Sequence, residues 1–237
     1  MHKLLRCLLD KFSRRLLLKK CQNRWEALAK KDAKYHIWSS EYNQPEEDFR
    51  LSGLDDFNAL ISNDMILKDC FSDFRSVDIL EIGCGIGRMS EFFSENFKSL
   101  SAIDISSEMI SLAKKRLHNK TNIFFKITDG KSVPFTDSSL DFAFSFIVFQ
   151  HIPSYDIIEN LFLETNRVLK SGGLFKVQLR GKALQDQAKT EWYYGVHYGL
   201  KEAIALAAKT GFEVIKYDGV DERYFWLWLK KNDGLHL

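Results

Sequence analysis

Between residues 77 and 180 the sequence alternates between short apolar segments and helical patterns, and this alternation constrains the fold more than any other feature. The apolar segments predict strands at 77–82, 99–103, 122–127, 140–148 and 173–180. Helical patterns lie between them at 87–97, 106–118 and 155–170. Strands that alternate with helices of this length form βαβ units. The sequence therefore predicts a doubly wound, Rossmann-like α/β domain with a mostly parallel sheet.

The C-terminal part departs from this alternation. A helix predicted over 200–210 ends at Gly211 and is followed by two predicted strands, 212–217 and 223–230. The short connection between these strands contains Asp218-Gly219, a sequence typical of a tight turn. We therefore expect an antiparallel hairpin to close the parallel sheet, which is uncommon among dinucleotide-binding Rossmann domains.

The N-terminal part carries helical patterns before the first predicted strand. We divide the chain into a helical extension over residues 1–54 and a main domain over residues 55–237. Leucines recur at helical spacing within residues 1–20, and further patterns predict helices at 23–34 and 55–71, with a loop at 42–54.

Charge is distributed unevenly along the chain. Residues 1–34 contain eleven Lys and Arg against three Asp and Glu, whereas the rest contains 23 against 29. The main domain lacks the basic character of a nucleic-acid binder, so we expect no nucleic-acid partner. The basic helix over residues 1–20 packs its leucines on the domain or on a second subunit, or it binds an anionic membrane surface. An organelle-targeting role also stays open.

The four cysteines form no CxxC pair and have no histidine partner at metal-ligand spacing, so we expect no metal site. Reduced thiols are the ordinary state in the cytosol. No apolar run approaches the roughly 18 residues that cross a bilayer. The expected location is cytoplasmic, with membrane association as the alternative, and the expected state is a monomer or a homodimer.

The first predicted strand leads directly into a glycine-rich loop. The strand Val77-Asp78-Ile79-Leu80-Glu81 is followed by Gly83-Cys84-Gly85-Ile86-Gly87 and then by a helix. Glycines let the backbone turn sharply and approach a ligand closely. The N–H groups at the helix start can donate to a carboxylate. Alternatively, the glycines serve only to join a strand to a helix.

Acidic residues also follow the next two predicted strands. Asp104 ends the second strand, where its carboxylate can accept hydrogen bonds from both hydroxyls of a ribose. It could instead cap a helix, although Ser106 is available for that role. After the third strand, Asp129 could accept from an adenine amino group. These strand ends meet at one crevice, which predicts a nucleoside-containing ligand.

Together these motifs resemble those of the class I S-adenosylmethionine-dependent methyltransferases, over about residues 75–230. The matching segments are Glu81–Gly87, Ala102–Ser106 with Met109-Ile110, Asp129-Gly130, Leu140–Phe142 through Gln150–Pro153, and Arg167–Gly173. The resemblance implies a seven-stranded sheet of order 3-2-1-4-5-7-6 and S-adenosylmethionine as the cofactor. It also implies a set of cofactor-binding residues: Glu81, Gly83, Cys84, Gly85, Gly87, Asp104, Ile105, Met109, Asp129, Gly130 and Phe146.

Within that set the resemblance assigns parts of the cofactor. Glu81 and the first glycines would line its methionine part, and Asp104 would hold the ribose. Ile105 and Met109 would flank the adenine, and Phe146 would lie near the sulfonium. Arg88 could meet the cofactor carboxylate, but we favour a role at the start of the helix.

On the acceptor side the sequence offers histidines and tyrosines. His151 follows the fourth strand, and His197 lies in an aromatic loop with Tyr193 and Tyr194. We consider His151 and His197 as candidate general bases, which are needed only when the acceptor must lose a proton. Tyr193, Tyr194, His197 and His36 are the candidate substrate contacts, although packing also explains His36.

We therefore expect methyl transfer to an oxygen or nitrogen atom of a small-molecule acceptor, such as a sugar, a lipid-linked compound or a secondary metabolite. One alternative is an NAD-dependent oxidoreductase, because Asp104 would suit NAD equally well. The GxGxG spacing, in place of GxGxxG, and the closing hairpin disfavour it. The other alternative is a cofactor-binding protein of the same family without catalytic activity.

Overall fold

A computed structural model describes residues 2–38, 41–181 and 195–232, with side chains described from residue 16 onward. The strands are β1 (Asp78–Ile82), β2 (Ser99–Asp104), β3 (Ile123–Ile127), β4 (Leu140–Ser145), β5 (Leu169–Leu179), β6 (Phe212–Asp218) and β7 (Phe225–Lys231). The α-helices are α1 (His2–Ile37), α2 (Glu46–Phe57), α3 (Met65–Cys70), α4 (Ser90–Asn96), α5 (Ser107–Arg116), α6 (Tyr155–Val168) and α7 (Leu200–Lys209).

The seven strands form one sheet of order β3-β2-β1-β4-β5-β7-β6, which confirms the expected topology. β1 pairs in parallel with β2 on one side and with β4 on the other. β7 runs antiparallel to both β5 and β6, so the predicted hairpin does close the sheet. The chain order reverses between β1 and β4, which opens a crevice at the carboxyl ends of these strands.

Helices cover both faces of the sheet, and alternate residues of each strand point to opposite faces. In β1, Leu80 packs with α6 and α7 in one apolar cluster, whereas Ile79 packs with α3, α4 and α5 in the other. The first cluster also contains Leu18 of α1. The N-terminal helix thus contributes directly to the core of the α/β domain.

The N-terminal elements differ from those predicted. The two predicted helices at 1–20 and 23–34 belong to one segment, α1, which an extended backbone at Asp32 (φ −165°, ψ 94°) interrupts near its end. The predicted loop at 42–54 is wrong, because α2 begins at Glu46 after Pro45. The acidic residues that suggested a loop occupy the first helical turn, where the helix dipole favours negative charge. In the predicted helix 55–71, a π-helical turn at 58–62 separates α2 from α3.

β4 is shorter than predicted, since it ends at Ser145 and a 3₁₀ turn follows at Phe149–His151. Ile147 lies between them with a positive φ of 57°, which turns the chain away from the sheet. Among the described residues, no helix is both long and apolar enough to span a membrane.

An ion pair inside the structure joins the N-terminal helices to the sheet. Lys176 of β5 lies 2.6 Å from the carboxylate of Asp64, the residue that caps α3, and both side chains are buried. Lys176 also donates to the carbonyl of Leu60 in the π-helical turn. The indole N–H of Trp228 donates to the same Asp64 oxygen at 2.7 Å. This network anchors the segment 58–64 to β5 and β7.

We predict that Lys176→Met lowers the free energy of unfolding by about 3 kcal/mol, because it leaves the buried Asp64 without its charged partner. Lys209→Met is the matched control: Lys209 also pairs with a carboxylate, that of Glu159, but is exposed. The control should cost less than about 1 kcal/mol. Urea denaturation of both variants measures the difference, and equal losses would contradict the anchoring role.

Candidate functional site

A cavity of about 170 Å³ opens at the carboxyl ends of β1, β2 and β4, in the crevice where the strand order reverses. Its walls come from the loops that follow these strands and β3, and from α1, which lies across it. Most of the predicted cofactor residues line this cavity: Glu81, Gly83, Cys84, Gly85, Asp104, Ile105, Met109, Gly130 and Phe146. Residues separated by up to 65 positions in the sequence are thereby brought together.

The glycine-rich loop has the backbone that its sequence requires. Gly83 and Gly85 have φ values of +78° and +53°, which L-residues with side chains rarely adopt. A Cβ at Gly83 would lie 2.1 Å from the Val148 side chain, and one at Gly85 would lie 2.7 Å from Ile37. Glycine at these positions therefore allows both the turn and the close approach of α1.

Asp104 lies at the end of β2, directly beside the glycine loop. Its carboxylate accepts hydrogen bonds from the backbone N–H of Gly85 (3.0 Å) and of Ser106 (2.8 Å). Burial raises the pKa of Asp104 to about 6, against these hydrogen bonds. Ser106 caps α5 by accepting from Met109 N–H, as predicted. Asp104 is thus not needed as the cap, and its carboxylate can still accept hydrogen bonds from a ligand.

Glu81 is the second-last residue of β1 and is almost fully buried. Burial raises the pKa of Glu81 to about 8, although the Ser90 hydroxyl donates to its Oε2 at 2.5 Å. The nearby Arg88 guanidinium also lowers this pKa in part, yet a carboxyl with a pKa of about 8 carries a proton at neutral pH. A ligand with a positively charged group would favour the ionised form. Glu81 and Asp104 thus give the cavity floor a preference for cationic and hydroxyl-bearing ligands.

α1 contributes contacts that the sequence analysis missed. Leu18, Cys21 and Trp25 line the cavity from one face of this helix. The Glu26 carboxylate accepts from the Ser106 hydroxyl (2.7 Å) and the Ser107 hydroxyl (2.8 Å), at the start of α5. The helical spacing of 18, 21 and 25 is visible in the sequence, but nothing there indicates which surface this face would meet.

Arg88 holds the glycine loop against α2. It is buried, and its guanidinium donates to the Ser52 carbonyl at 2.9 Å and to the Asp56 carboxylate at 2.6 Å. α2 approaches so closely at Gly53 that a Cβ there would lie 2.4 Å from the Arg88 carbonyl oxygen. Arg88 therefore joins the glycine loop to α2 just before α4. Arg88 also lines the cavity, so its choice between the cofactor carboxylate and the start of the helix stays a prediction.

The three candidate histidines lie in different places. His36 and His151 line the cavity, but His197 does not, and its side chain is exposed. Burial lowers the pKa of His36, whose Nε2 makes no hydrogen bond to the described residues. The His151 ring packs edge-on against Trp25 of α1, with 5.7 Å between ring centroids. The geometry thus favours His36 and His151 as site residues over His197.

Other predicted site residues do not line the cavity. The Oδ1 of Asp129 accepts from the N–H groups of Lys131 (2.9 Å) and Ser132 (2.8 Å), so this carboxylate stabilises its own turn on the surface. Gly87 lies beyond the cavity lining, and its φ of +83° serves the turn before α4. Tyr193 and Tyr194 are outside the described residues.

No group of three or more His, Cys, Asp or Glu is arranged to hold a metal in the described parts of the chain.

The family comparison identifies the domain. Residues 80–177 match the model of the methyltransferase domain family. The chain is also 32% identical over 174 residues to phosphoethanolamine N-methyltransferase 2 of Caenorhabditis elegans. Residues 80–177 thus form a class I S-adenosylmethionine-dependent methyltransferase domain. S-adenosylmethionine is therefore its cofactor, as expected from the sequence.

Further comparisons place this methyltransferase domain among its relatives. The match to the nematode enzyme covers 70% of this chain and 39% of that protein. The sterol 24-C-methyltransferase of Pneumocystis carinii is 28% identical over 153 residues, 58% of this chain and 40% of that protein. The chain thus spans less than half the length of either relative.

A solved structure extends the fold comparison to the N-terminal elements. The phosphoethanolamine N-methyltransferase 1 of Haemonchus contortus, in complex with phosphoethanolamine and S-adenosylhomocysteine, aligns with a TM-score of 0.69. The alignment covers 93% of this chain and 50% of that one, at 15% identity. At this level of identity the alignment establishes a shared fold.

We predict that the protein loses stability relative to its Glu81→Gln variant as the pH rises from about 5 to 8. The unfolded chain releases the Glu81 proton near its ordinary pKa of about 4.3. The folded protein keeps the proton up to a pKa of about 8, so its stability falls across this interval. Glutamine stays neutral at every pH and avoids this loss.

Thermal unfolding of both proteins without ligand, from pH 5 to pH 8, measures the effect. With a pKa of about 4.3 in the unfolded chain and about 8 in the folded protein, a rise from pH 5 to pH 8 removes roughly 3.5 kcal/mol of wild-type stability. At roughly 2–4 °C per kcal/mol for a chain of this size, the Tm of the variant should rise relative to wild type by roughly 7–14 °C over this range. Glu213→Gln, at an exposed glutamate of β6, is the control and should follow wild type. A constant difference between Glu81→Gln and wild type would show that the folded protein ionises Glu81 normally.

Proposed function

We propose that this chain transfers a methyl group from S-adenosylmethionine to an oxygen or nitrogen atom of a small-molecule acceptor. The observation that carries the proposal is the convergence of Glu81, Asp104 and the glycine loop on one covered cavity in a domain of this family. The cavity lies where ligands bind in open α/β sheets, outside the carboxyl ends of the strands.

Each part of the cofactor has matching residues in this cavity. The methionine part suits Glu81, Gly83, Cys84 and Gly85. The Glu81 carboxylate can pair with its ammonium group, and the glycine loop leaves room for its amino-acid end. Asp104 suits the ribose hydroxyls. Ile105, Met109 and Gly130 form the adenine end, and Phe146 lies on the acceptor side. We leave Asp129 and Gly87 out of this proposal because neither lines the cavity.

The bound cofactor supplies the activated methyl group, so the chain needs only to bind, align and shield. Glu81 and Asp104 hold two separate points of the ligand, which limits its rotation in the site. α1 covers the cavity through Leu18, Cys21 and Trp25 and keeps water away. Methyl transfer is an in-line displacement, and alignment and exclusion of water account for much of its acceleration.

We also propose that residues 1–54 act as a cover of the site in the methyltransferase domain of residues 55–237. Gln22 donates to the Ile105 carbonyl at 3.1 Å, and Glu26 contacts the first turn of α5. Both contacts lie at the proposed adenine end. Contact with a membrane through residues 1–20 stays a hypothesis alongside this role.

For the acceptor, we propose to test first a small amine that carries a phosphate group. The relative from Caenorhabditis elegans is named for phosphoethanolamine, which is such a compound. His36 and His151 are the proposed acceptor contacts within the described structure, because both line the cavity. The sterol methyltransferase relative shows that acceptors differ within this family, so a panel of acceptors is required.

We predict that Asp104→Ala weakens binding of S-adenosylhomocysteine at least tenfold. Each lost hydrogen bond between a ribose hydroxyl and this carboxylate is worth about 1.5–3 kcal/mol, and a tenfold change equals about 1.4 kcal/mol. Asp129→Ala is the matched control and should change the affinity less than about twofold. Isothermal titration calorimetry measures both. Loss of affinity in Asp129→Ala instead would restore the adenine role expected from the sequence.

We predict transfer of labelled methyl from S-adenosylmethionine to at least one member of an acceptor panel that includes phosphoethanolamine, a sugar hydroxyl and a hydroxylated aromatic compound. In a parallel thermal-shift experiment, S-adenosylhomocysteine at 100 times its Kd should stabilise the protein by about 2.7 kcal/mol, and NAD should not. Stabilisation without transfer to any acceptor would instead favour a non-catalytic cofactor binder. No stabilisation would contradict the proposed site.

A further inference from the structure

Three neighbouring side chains form a hydrogen-bonded chain behind the cavity. Gln178 of β5 and Gln150, in the turn after β4, are both fully buried. Gln178 Nε2 donates to Gln150 Oε1 at 3.2 Å, and Gln150 Nε2 lies 3.1 Å from Nε2 of His151. His151 is the one member of the chain that lines the cavity. The chain therefore links β5 to a residue of the proposed acceptor site.

The surrounding backbone determines which way the Gln178 amide points. Its Oε1 accepts from the N–H of Ile147 at 3.0 Å. Its Nε2 faces two carbonyl oxygens, those of Leu179 at 2.5 Å and Arg223 at 3.5 Å. A reversed amide would place its NH₂ group against the Ile147 N–H and its oxygen against two carbonyls. Only the observed orientation satisfies these groups.

This orientation determines that of Gln150 in turn. Because Gln178 donates, Gln150 must present its Oε1 to Gln178 and its NH₂ group to His151. An amide NH₂ group can only donate a hydrogen bond. His151 Nε2 must therefore be the acceptor and carry no proton, so a neutral ring carries its proton on Nδ1.

We propose that Gln178 and Gln150 are positioning residues that hold His151 in its neutral, Nδ1-protonated tautomer. In this form Nε2 is occupied by the Gln150 donor and Nδ1 already carries a proton, so neither nitrogen can abstract one. His151 is thus not the general base considered from the sequence. Its role in methyl transfer rests on the proposed function, whereas its tautomer is a property of the folded chain alone.

Nuclear magnetic resonance of the full chain with ¹⁵N-labelled histidine rings tests this proposal directly. Long-range ¹H–¹⁵N correlations at pH 7.5 report which ring nitrogen carries the proton, and His151→Asn identifies the His151 signals. We expect the Nδ1–H tautomer in the wild type without ligand. In Gln150→Glu a carboxylate replaces the donor, so we expect a proton to appear on Nε2.

Gln44→Glu is the matched control, since Gln44 is also buried but donates to the Trp38 carbonyl, outside this chain. It should leave the His151 signals unchanged. An Nε2–H tautomer in the wild type, or a Gln150→Glu spectrum with His151 unchanged, would overturn the proposal. If Gln150→Glu does not fold, the wild-type spectrum alone decides.

This experiment is independent of the proposed function, because it needs neither cofactor nor acceptor. An Nδ1–H tautomer in a protein that methylates no acceptor would support the positioning role and count against methyl transfer. Transfer activity combined with an Nε2–H tautomer would support methyl transfer and contradict the positioning role. In an active protein, Gln150→Glu should lower kcat at least tenfold, and Gln44→Glu should not.

Discussion

The site depends above all on the burial of two carboxylates at the ends of neighbouring parallel strands. Removing Glu81 and Asp104 from water disfavours their charged forms, which raises the pKa values to about 8 and about 6. Backbone N–H groups and the Ser90 hydroxyl offset only part of this cost. A ligand that brings a cation to Glu81 and hydroxyls to Asp104 would offset much of the remainder. The site is thus suited to a ligand of that chemistry.

This arrangement requires a cover, and the N-terminal elements provide it. α1 lies across the cavity, where Ile37 and Leu18 approach the glycine positions 85 and 130 closely. α2 holds Arg88, and the ion pair between Lys176 and Asp64 anchors the following segment to the sheet. A region that precedes the α/β pattern in the sequence is therefore part of the site.

Local sequence patterns predicted the sheet, the hairpin and most of the cavity floor. Whether a segment forms a strand or a turn depends largely on residues that are close in the sequence. In a parallel sheet, acidic residues at the ends of successive strands meet at one edge. Asp104, Gly83 and Gly85 accordingly line the cavity. Asp129 was expected in the cavity for the same reason, but its carboxylate accepts from the N–H groups of Lys131 and Ser132 instead. Short-range competition of this kind is not visible in a strand pattern.

The sequence by itself determined the fold class, the family resemblance and the glycine loop, because each follows from short local patterns and their order along the chain. Only the tertiary structure decided which surface α1 covers, since an amphipathic face does not specify its partner. It also decided between the histidines: His151 lines the cavity, whereas the His197 side chain is exposed. The orientation of the buried Gln178 and Gln150 amides depends on donors and acceptors from β5, the turn after β4 and the hairpin. Contacts between such distant segments exist only once the chain has folded.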